Sequence, residues 1–188
     1  MPNRPASLFS AGPLALIGLI AAVALTRLIP HPPNFSPVEA MALFGGAYLA
    51  KRSWAVLVPL IALFISALAL GLLMGGEYFQ YFVSAGFLLV YLTIAVLSVL
   101  GFGLRGKVSV ARVAGYGLAG SILFFLTTNF GVWLGSAFYP QTASGLMAAY
   151  AAGVPFLQNG ILGTLFYSVL LFGTYELLKQ RIPALAQG

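Results

Sequence analysis

Few side chains in this 188-residue sequence can do acid–base chemistry, so those few are the first candidates for function. The acidic residues are three glutamates, Glu39, Glu77 and Glu176; His31 is the one histidine, and there is no aspartate or cysteine. A lone histidine without cysteine gives no multi-ligand metal site, and no nucleophile stands beside a base. We therefore expect no catalytic residue, no bound metal, no cofactor and no enzymatic activity.

Glu39 follows a proline-rich turn that carries His31 and Asn34, and Arg27 lies before that turn at the end of the first predicted helix. A carboxylate that reaches the middle of a bilayer costs about 2.5–3.5 kcal/mol, so Glu39 needs a partner if its helix is buried. Two interpretations stay open. Glu39 and the nearby basic groups form a structural ion pair that pins the turn, or they face and orient a ligand.

A second polar group lies later in the chain, where Asn129 and Trp133 are four residues apart and share a helical face. We expect the amide to face the protein interior, while Trp133 suits either a ligand contact or the aromatic belt of a membrane. Gln158 and Asn159 either add to this group or cap a later helix. The predicted ligand-binding residues are Arg27, His31, Asn34, Glu39, Tyr78, Gln80, Asn129, Trp133, Tyr139 and Asn159.

The elements that position these residues are membrane helices. Hydrophobic residues make up 61% of the chain and charged residues 6%, whereas a soluble domain has roughly a quarter charged residues. The apolar runs approach or exceed the roughly 17–25 residues that cross a bilayer. We predict an all-α, single-domain bundle (residues 1–188) of about six transmembrane helices, at 11–29, 37–50, 54–74, 79–104, 113–138 and 157–178.

Two stretches of this assignment are less regular. Residues 37–50 form a helix of about 21 Å, shorter than a hydrocarbon core of about 30 Å, so this segment either spans or is re-entrant. Residues 139–156 are polar and interrupted by glycine and proline, and we expect no regular span there.

Basic residues gather on one side of the predicted bundle. With six spans, eight of the nine lysines and arginines share a side, which the positive-inside rule assigns to the cytoplasm, and Arg27 is the exception. This predicts a multi-pass protein of the cell (inner) membrane with both termini cytoplasmic. A five-span arrangement with the N-terminus outside gives the same ratio, with Arg4 as the exception. Loop charges explain the net charge of +6, so nucleic acid is not an expected partner, whereas the lipid bilayer is.

Three segments carry a resemblance to known proteins. They are RLIPHPPNFSPVEAMALFGGAY (27–48), TNFGVW (128–133) and YPQT (139–142). With these the chain resembles a family of uncharacterised bacterial integral membrane proteins. That family is in turn distantly similar to the S-components of energy-coupling-factor (ECF) vitamin transporters, in particular the solitary cobalamin-transporter type. Two positions depart from these patterns: Gln80 stands where the cobalamin type has a cobalt-coordinating cysteine, and Ser66-Ala67 replaces an expected Ser-Asp.

The resemblance implies a transporter or substrate-binding component that takes up a small vitamin-like or cofactor-precursor molecule. S-components have six helices and bind their ligand near the external face, so the implied partners are such a ligand, with a corrinoid as one candidate, and a coupling transmembrane subunit with ATPases. An alternative is an accessory subunit of a larger membrane complex without a ligand of its own. Small-residue pairs such as Gly18/Ala22 and Gly117/Ser121 allow close helix packing in either case.

Overall fold

The computed structural model describes residues 10–76, 79, 84–182 and 185, and its secondary structure within these residues is entirely helical. Three helices are extended by a different helical turn: α1 and α4 by 3₁₀ turns, and α6 by a π-helical segment that leads into α7. The elements are α1 (Ala11–Leu25) with Thr26–Leu28, α2 (Val38–Tyr48), α3 (Arg52–Met74), α4 (Ala85–Leu100) with Gly101–Leu104, α5 (Val110–Gly135), α6 (Ala143–Ser168), the π segment Val169–Gly173, and α7 (Thr174–Arg181).

Five helical rods, each a helix counted together with any 3₁₀, π or helical segment that continues it, are long and apolar enough to cross a membrane. Their outward faces carry large apolar side chains, such as Leu72 on α3, Leu92 on α4 and Leu162 on α6, all of them more than half exposed. A large apolar surface of this kind suits lipid rather than water. The described chain is therefore compatible with a multi-pass membrane protein.

The short helix α2 lies in the centre of the bundle, and every residue from Val38 to Ala47 is buried. It packs against α1, α3, α4, α5 and α6. Glycines allow the closest of these approaches: a Cβ atom on Gly101 would lie only 2.6 Å from the carbonyl oxygen of Leu43, and one on Gly46 would overlap the carbonyl oxygen of Ser98. Apart from Glu39, the buried residues of α2 are accordingly apolar or glycine.

Arg105 caps the C-terminal end of α2. Its guanidinium donates from Nε to the carbonyl oxygen of Gly46 (2.8 Å), from Nη2 to Leu49 (2.7 Å) and from Nη1 to Ala50 (3.2 Å). Carbonyl groups at a helix C-terminus lack intrahelical partners, and a cation there also suits the helix dipole. These bonds place the end of α2 at the same end of the bundle as the end of the α4 rod.

The last helical rod begins at Ala143, 14 residues before the predicted start at 157. The hydroxyl of Thr142 caps it by accepting a hydrogen bond from the amide of Gly145 (3.2 Å), and Pro155 lies inside the helix. Packed membrane helices tolerate proline because neighbouring groups and small local adjustments satisfy the freed carbonyl. Residues 143–156, expected to be irregular, are therefore helical, and Gln158 and Asn159 do not cap the start of this helix.

Candidate functional site

The Glu39 carboxyl lies where α2, α5 and α6 meet. Its Oε2 atom accepts hydrogen bonds from the hydroxyls of Ser121 (2.5 Å) and Thr164 (2.7 Å), and these two hydroxyls lie 3.1 Å apart. Glu39 is only 6% exposed. Buried charged groups are costly unless they are hydrogen-bonded, and the two hydroxyls provide those bonds for one of the two carboxyl oxygens.

Small residues let the three helices approach at this point. A Cβ atom on Gly117 of α5 would lie 3.4 Å from the Thr164 methyl carbon, and one on Gly160 of α6 would lie 3.7 Å from Oε1 of Glu39. No residue in the described part of the chain hydrogen-bonds Oε1 of Glu39. The carboxyl is thus fixed through Oε2, while Oε1 keeps its hydrogen-bonding capacity for another group.

A cavity of about 580 Å³, here called the outer cavity, opens above Glu39. It lies between the end of α1, the proline-rich turn, the start of α2, the end of α3 and the start of α4. Its volume is within the range of small-molecule sites, which are mostly apolar with a few polar groups. The polar lining residues are Arg27, His31, Asn34, Ser36 and Glu39, and the apolar walls include Leu63, Leu70, Leu73, Met74, Phe87, Val90 and Phe124.

Arg27 lines the outer cavity but is held by α3 rather than by Glu39. Its Nη1 atom donates to the Ser66 hydroxyl (2.5 Å) and to the carbonyl oxygen of Leu63 (3.3 Å). The structural ion pair considered for Arg27 and Glu39 is therefore not what holds the turn. The 3₁₀ turn that carries Arg27 packs on α3, whereas the partners of Glu39 come from α5 and α6.

The proline-rich turn is fixed to α6 by Asn159, whose Nδ2 donates to the carbonyl oxygen of Pro33 (2.9 Å). The next residue, Asn34, has φ of 63°, a left-handed conformation that asparagine tolerates better than most residues. His31 is exposed, with Nδ1 3.0 Å from the carbonyl oxygen of Pro32. Asn159 thus positions the turn that carries His31 and Asn34, and is not itself in the lining of the outer cavity.

Asn129, Trp133 and Tyr139 are not among the residues that line this cavity. The Asn129 amide donates to the carbonyl oxygen of Phe125 (2.9 Å), and the Trp133 indole N–H donates to that of Pro140 (2.9 Å). Each of these side chains thus donates to a nearby backbone carbonyl, and neither lines the outer cavity. The aromatic residues that line the outer cavity are Phe87 and Phe124. Tyr78 and Gln80, together with Glu77, lie outside the described residues.

Residues 9–185 match the model of a family described as a family of unknown function, DUF6580. The chain belongs to this family. No curated protein and no solved structure matches it. The matched range includes the proline-rich turn, α2 and every residue named above as lining the outer cavity, so the site lies within the part of the chain that defines the DUF6580 family.

The sequence of this DUF6580 chain did not predict Ser66 as the partner of Arg27. It also did not predict Ser121 and Thr164 as the partners of Glu39. Each is a small polar residue in an apolar helix, a common feature that does not by itself indicate a site. Ser121 was noted only as part of the small pair with Gly117, and the structure does place that pair against Thr164 of α6. The sequence does contain one indication of such partners. Glu39 lies in an apolar helix with no basic residue in the next helical turn, so its hydrogen bonds must come from polar side chains elsewhere in the chain.

Proposed function

We propose that this chain binds a small vitamin-like or cofactor-precursor molecule in the outer cavity and serves its uptake across the membrane. The observation that supports this proposal is the outer cavity itself. Its volume of about 580 Å³ suits a small molecule, and Arg27, His31, Asn34 and Glu39 contribute to its lining.

The placement of charge suggests what kind of molecule fits. Arg27 is anchored on the α3 wall by Ser66, and it offers a cation to a carboxylate, phosphate or carbonyl group of the ligand. Glu39, fixed through Oε2, offers Oε1 to an N–H, O–H or ammonium group. Leucine and phenylalanine side chains between them suit a ring or alkyl portion. A ligand with an acceptor at one end, a donor at the other and an apolar middle satisfies this arrangement.

The finer form of the proposal is an S-component-like role, with ligand entry from the side opposite the basic loops. It is supported by the external position predicted for the proline-rich turn and by the distant sequence resemblance. A coupling transmembrane subunit with ATPases then belongs to the proposal as a partner. Because the sequence has no cysteine, thiolate ligation of a corrinoid cobalt has no place in it. A corrinoid remains one candidate ligand among several.

The experiment is a binding survey on the purified full chain in lipid nanodiscs. Thermal shift and equilibrium dialysis against vitamins, cofactor precursors and corrinoids should show saturable binding of at least one class. Glu39→Gln should weaken that binding by roughly tenfold or more, the effect of losing a hydrogen bond to a charged group. Glu176→Gln is the matched control, because Glu176 is not in the lining of the outer cavity.

Two outcomes would contradict the proposal. One is a folded protein that binds no member of the panel, together with unchanged uptake in cells that lack the gene. The other is purification in mild detergent as a stoichiometric complex that contains no transport ATPase, which would favour the accessory-subunit alternative.

A further inference from the structure

A second cavity, here called the inner cavity, lies at the other end of the bundle, beside the C-terminal end of α2. Its volume is about 680 Å³. It runs between the start of α5 and the rod formed by α6, the π segment and α7. Five polar residues contribute to its lining: Tyr48, Ser109, Ser168, Glu176 and Lys179. The inner cavity thus lies at the end where basic residues gather, opposite the outer cavity.

Ser168 is an unusual member of the inner cavity's lining. It is only 3% exposed, and its hydroxyl has no hydrogen-bond partner among the described residues. It directly precedes the π-helical segment Val169–Gly173, and such segments are frequent at functional positions. A buried hydroxyl without a protein partner is normally served by water. Since Ser168 borders the inner cavity, water in that cavity can serve it.

Ser168 lies one helical turn from Thr164, a hydrogen-bond partner of Glu39. Thr164 precedes it by four residues in the regular part of α6, so the two side chains share a face with Cβ atoms about 6 Å apart. The Thr164 hydroxyl is itself bonded to Oε2 of Glu39. One water molecule is enough to connect two hydroxyls at that separation. Thr164 thus stands between Glu39, which lines the outer cavity, and Ser168, which lines the inner cavity.

Within the described residues, few charged or titratable groups face Glu39. The α1 extension contributes Arg27, which is bonded to Ser66, and the proline-rich turn contributes the exposed His31. The residues of α3 and α4 that line the outer cavity are apolar, and α5 and α6 contribute the two hydroxyls. No described cation contacts the Glu39 carboxyl. A carboxyl in such a place exchanges a proton more readily than it carries an uncompensated charge.

We propose that Glu39, Thr164 and Ser168 form a proton path between the outer and inner cavities. A proton from outer-cavity water adds to the Glu39 carboxylate. After the carboxyl group and the Thr164 hydroxyl have both rotated, so that the added proton faces Oγ1 of Thr164, the carboxyl gives that proton to Oγ1 while the hydroxyl passes its own proton to the intervening water. Ser168 repeats this exchange and releases a proton to inner-cavity water, so each hydroxyl ends with the single proton it began with.

The path connects to the proposed function at Glu39. A ligand group that bonds Oε1 of Glu39 competes with the proton for the same carboxyl, so ligand binding and proton release are linked. This linkage rests on the proposed function, whereas the path does not. It makes a proton gradient a source of energy for movement of the ligand.

The test is proton flux into proteoliposomes that contain the full chain and a trapped pH-sensitive dye. A potassium gradient with valinomycin drives protons inward, without added ligand. We expect an influx at least tenfold above that of protein-free vesicles, a return to that background for Glu39→Gln and a several-fold decrease for Ser168→Ala. Ser168→Thr, which keeps the hydroxyl, should retain most of the flux. The control Ser98→Ala removes a buried hydroxyl that bonds only within α4 and should match the unsubstituted chain.

Ser168→Ala keeps the test informative even if Glu39→Gln fails to fold, because the Ser168 hydroxyl has no partner in the described chain to lose. The path is overturned if proton flux through the unsubstituted chain is no faster than in protein-free vesicles. It is also overturned if Ser168→Ala and Glu39→Gln conduct protons as fast as the unsubstituted chain. Saturable ligand binding without proton flux would overturn the path and leave the proposed function intact. Proton flux in a chain that binds no ligand would support the path and contradict the proposed function.

Discussion

Oγ1 of Thr164 lies 2.7 Å from Oε2 of Glu39, although 125 residues separate the two in the chain. With the second bond from Ser121, this contact ties α2 to both α5 and α6. Glu39 also lines the outer cavity. The candidate site and the packing of the bundle centre therefore depend on one another, and substitutions there should change both.

Removing the Thr164 hydroxyl should destabilise the protein. Thr164→Val keeps the shape of the side chain but leaves Oε2 of Glu39 with one donor instead of two. An incompletely satisfied buried polar group costs about 1–3 kcal/mol. We expect a lower midpoint of thermal unfolding in the same detergent. Thr164→Ser, which keeps the hydroxyl, should lie closer to the unsubstituted protein. The opposite order would show that the methyl group, which faces Gly117, matters more than the hydrogen bond.

Arg105 should contribute to stability through α2, beyond its role as a loop charge. Arg105→Ala removes three hydrogen bonds to the last carbonyl groups of α2 and the residues after it. Hydrogen bonds to charged groups contribute about 1.5–3 kcal/mol each, and this side chain is only partly buried, so we expect a total loss of about 2 kcal/mol. Lys107→Ala changes the same charge at an exposed position and is the control. Equal unfolding midpoints for the two variants would contradict the capping role.

The contact of α2 with the α4 rod should not tolerate a methyl group. In Gly101→Ala the new Cβ would lie 2.6 Å from the Leu43 carbonyl oxygen, a backbone atom that cannot rotate away. Overpacking typically costs about 1–3 kcal/mol, and a clash with backbone belongs at the upper end of that range. Gly18→Ala is the control, since nothing lies within 4 Å of its Cβ position. Folded yield and unfolding midpoint should fall for Gly101→Ala and stay level or rise for Gly18→Ala.

The all-helical fold and the number of helical rods could be predicted from the sequence because apolar runs and basic loops are local features. The shared location of Arg27, His31, Asn34 and Glu39 follows for a similar reason. They lie within 13 residues around one proline-rich turn, so any compact folding of that turn keeps them close.

The partners of these residues could not be predicted, because they depend on how distant helices pack. Ser121 and Thr164 meet Glu39 only once glycines have brought α5 and α6 together. Trp133 is a residue type typical of ligand contacts, yet its indole N–H donates to the carbonyl oxygen of Pro140, seven residues later in a loop. The start of α6 was missed because local polarity and Pro155 argue against a helix, while Thr142 as cap and the neighbouring helices favour one.

The crossing of the membrane by α2 can be tested by cysteine labelling, since the natural sequence contains no cysteine. Arg105 bonds the carbonyl oxygen of Ala50, so the end of α2 lies at the same end of the bundle as the loop after α4. Lys51→Cys and Lys107→Cys, both exposed positions, should therefore react with a membrane-impermeant maleimide from the same side. By the positive-inside rule, that side is the cytoplasm.

Pro32→Cys and Ala137→Cys, also exposed, should react from the opposite side, in intact cells. The pair Pro32 and Lys51 decides the count of crossings, because the five-span alternative places both on one side, whereas a crossing α2 separates them. Labelling of Pro32→Cys only after permeabilisation, alongside Lys51→Cys, would overturn the six-crossing arrangement. It would also contradict the outer cavity as described, because the five-span arrangement places the proline-rich turn on the opposite side of the membrane from the end of α3 and the start of α4, which line the same cavity.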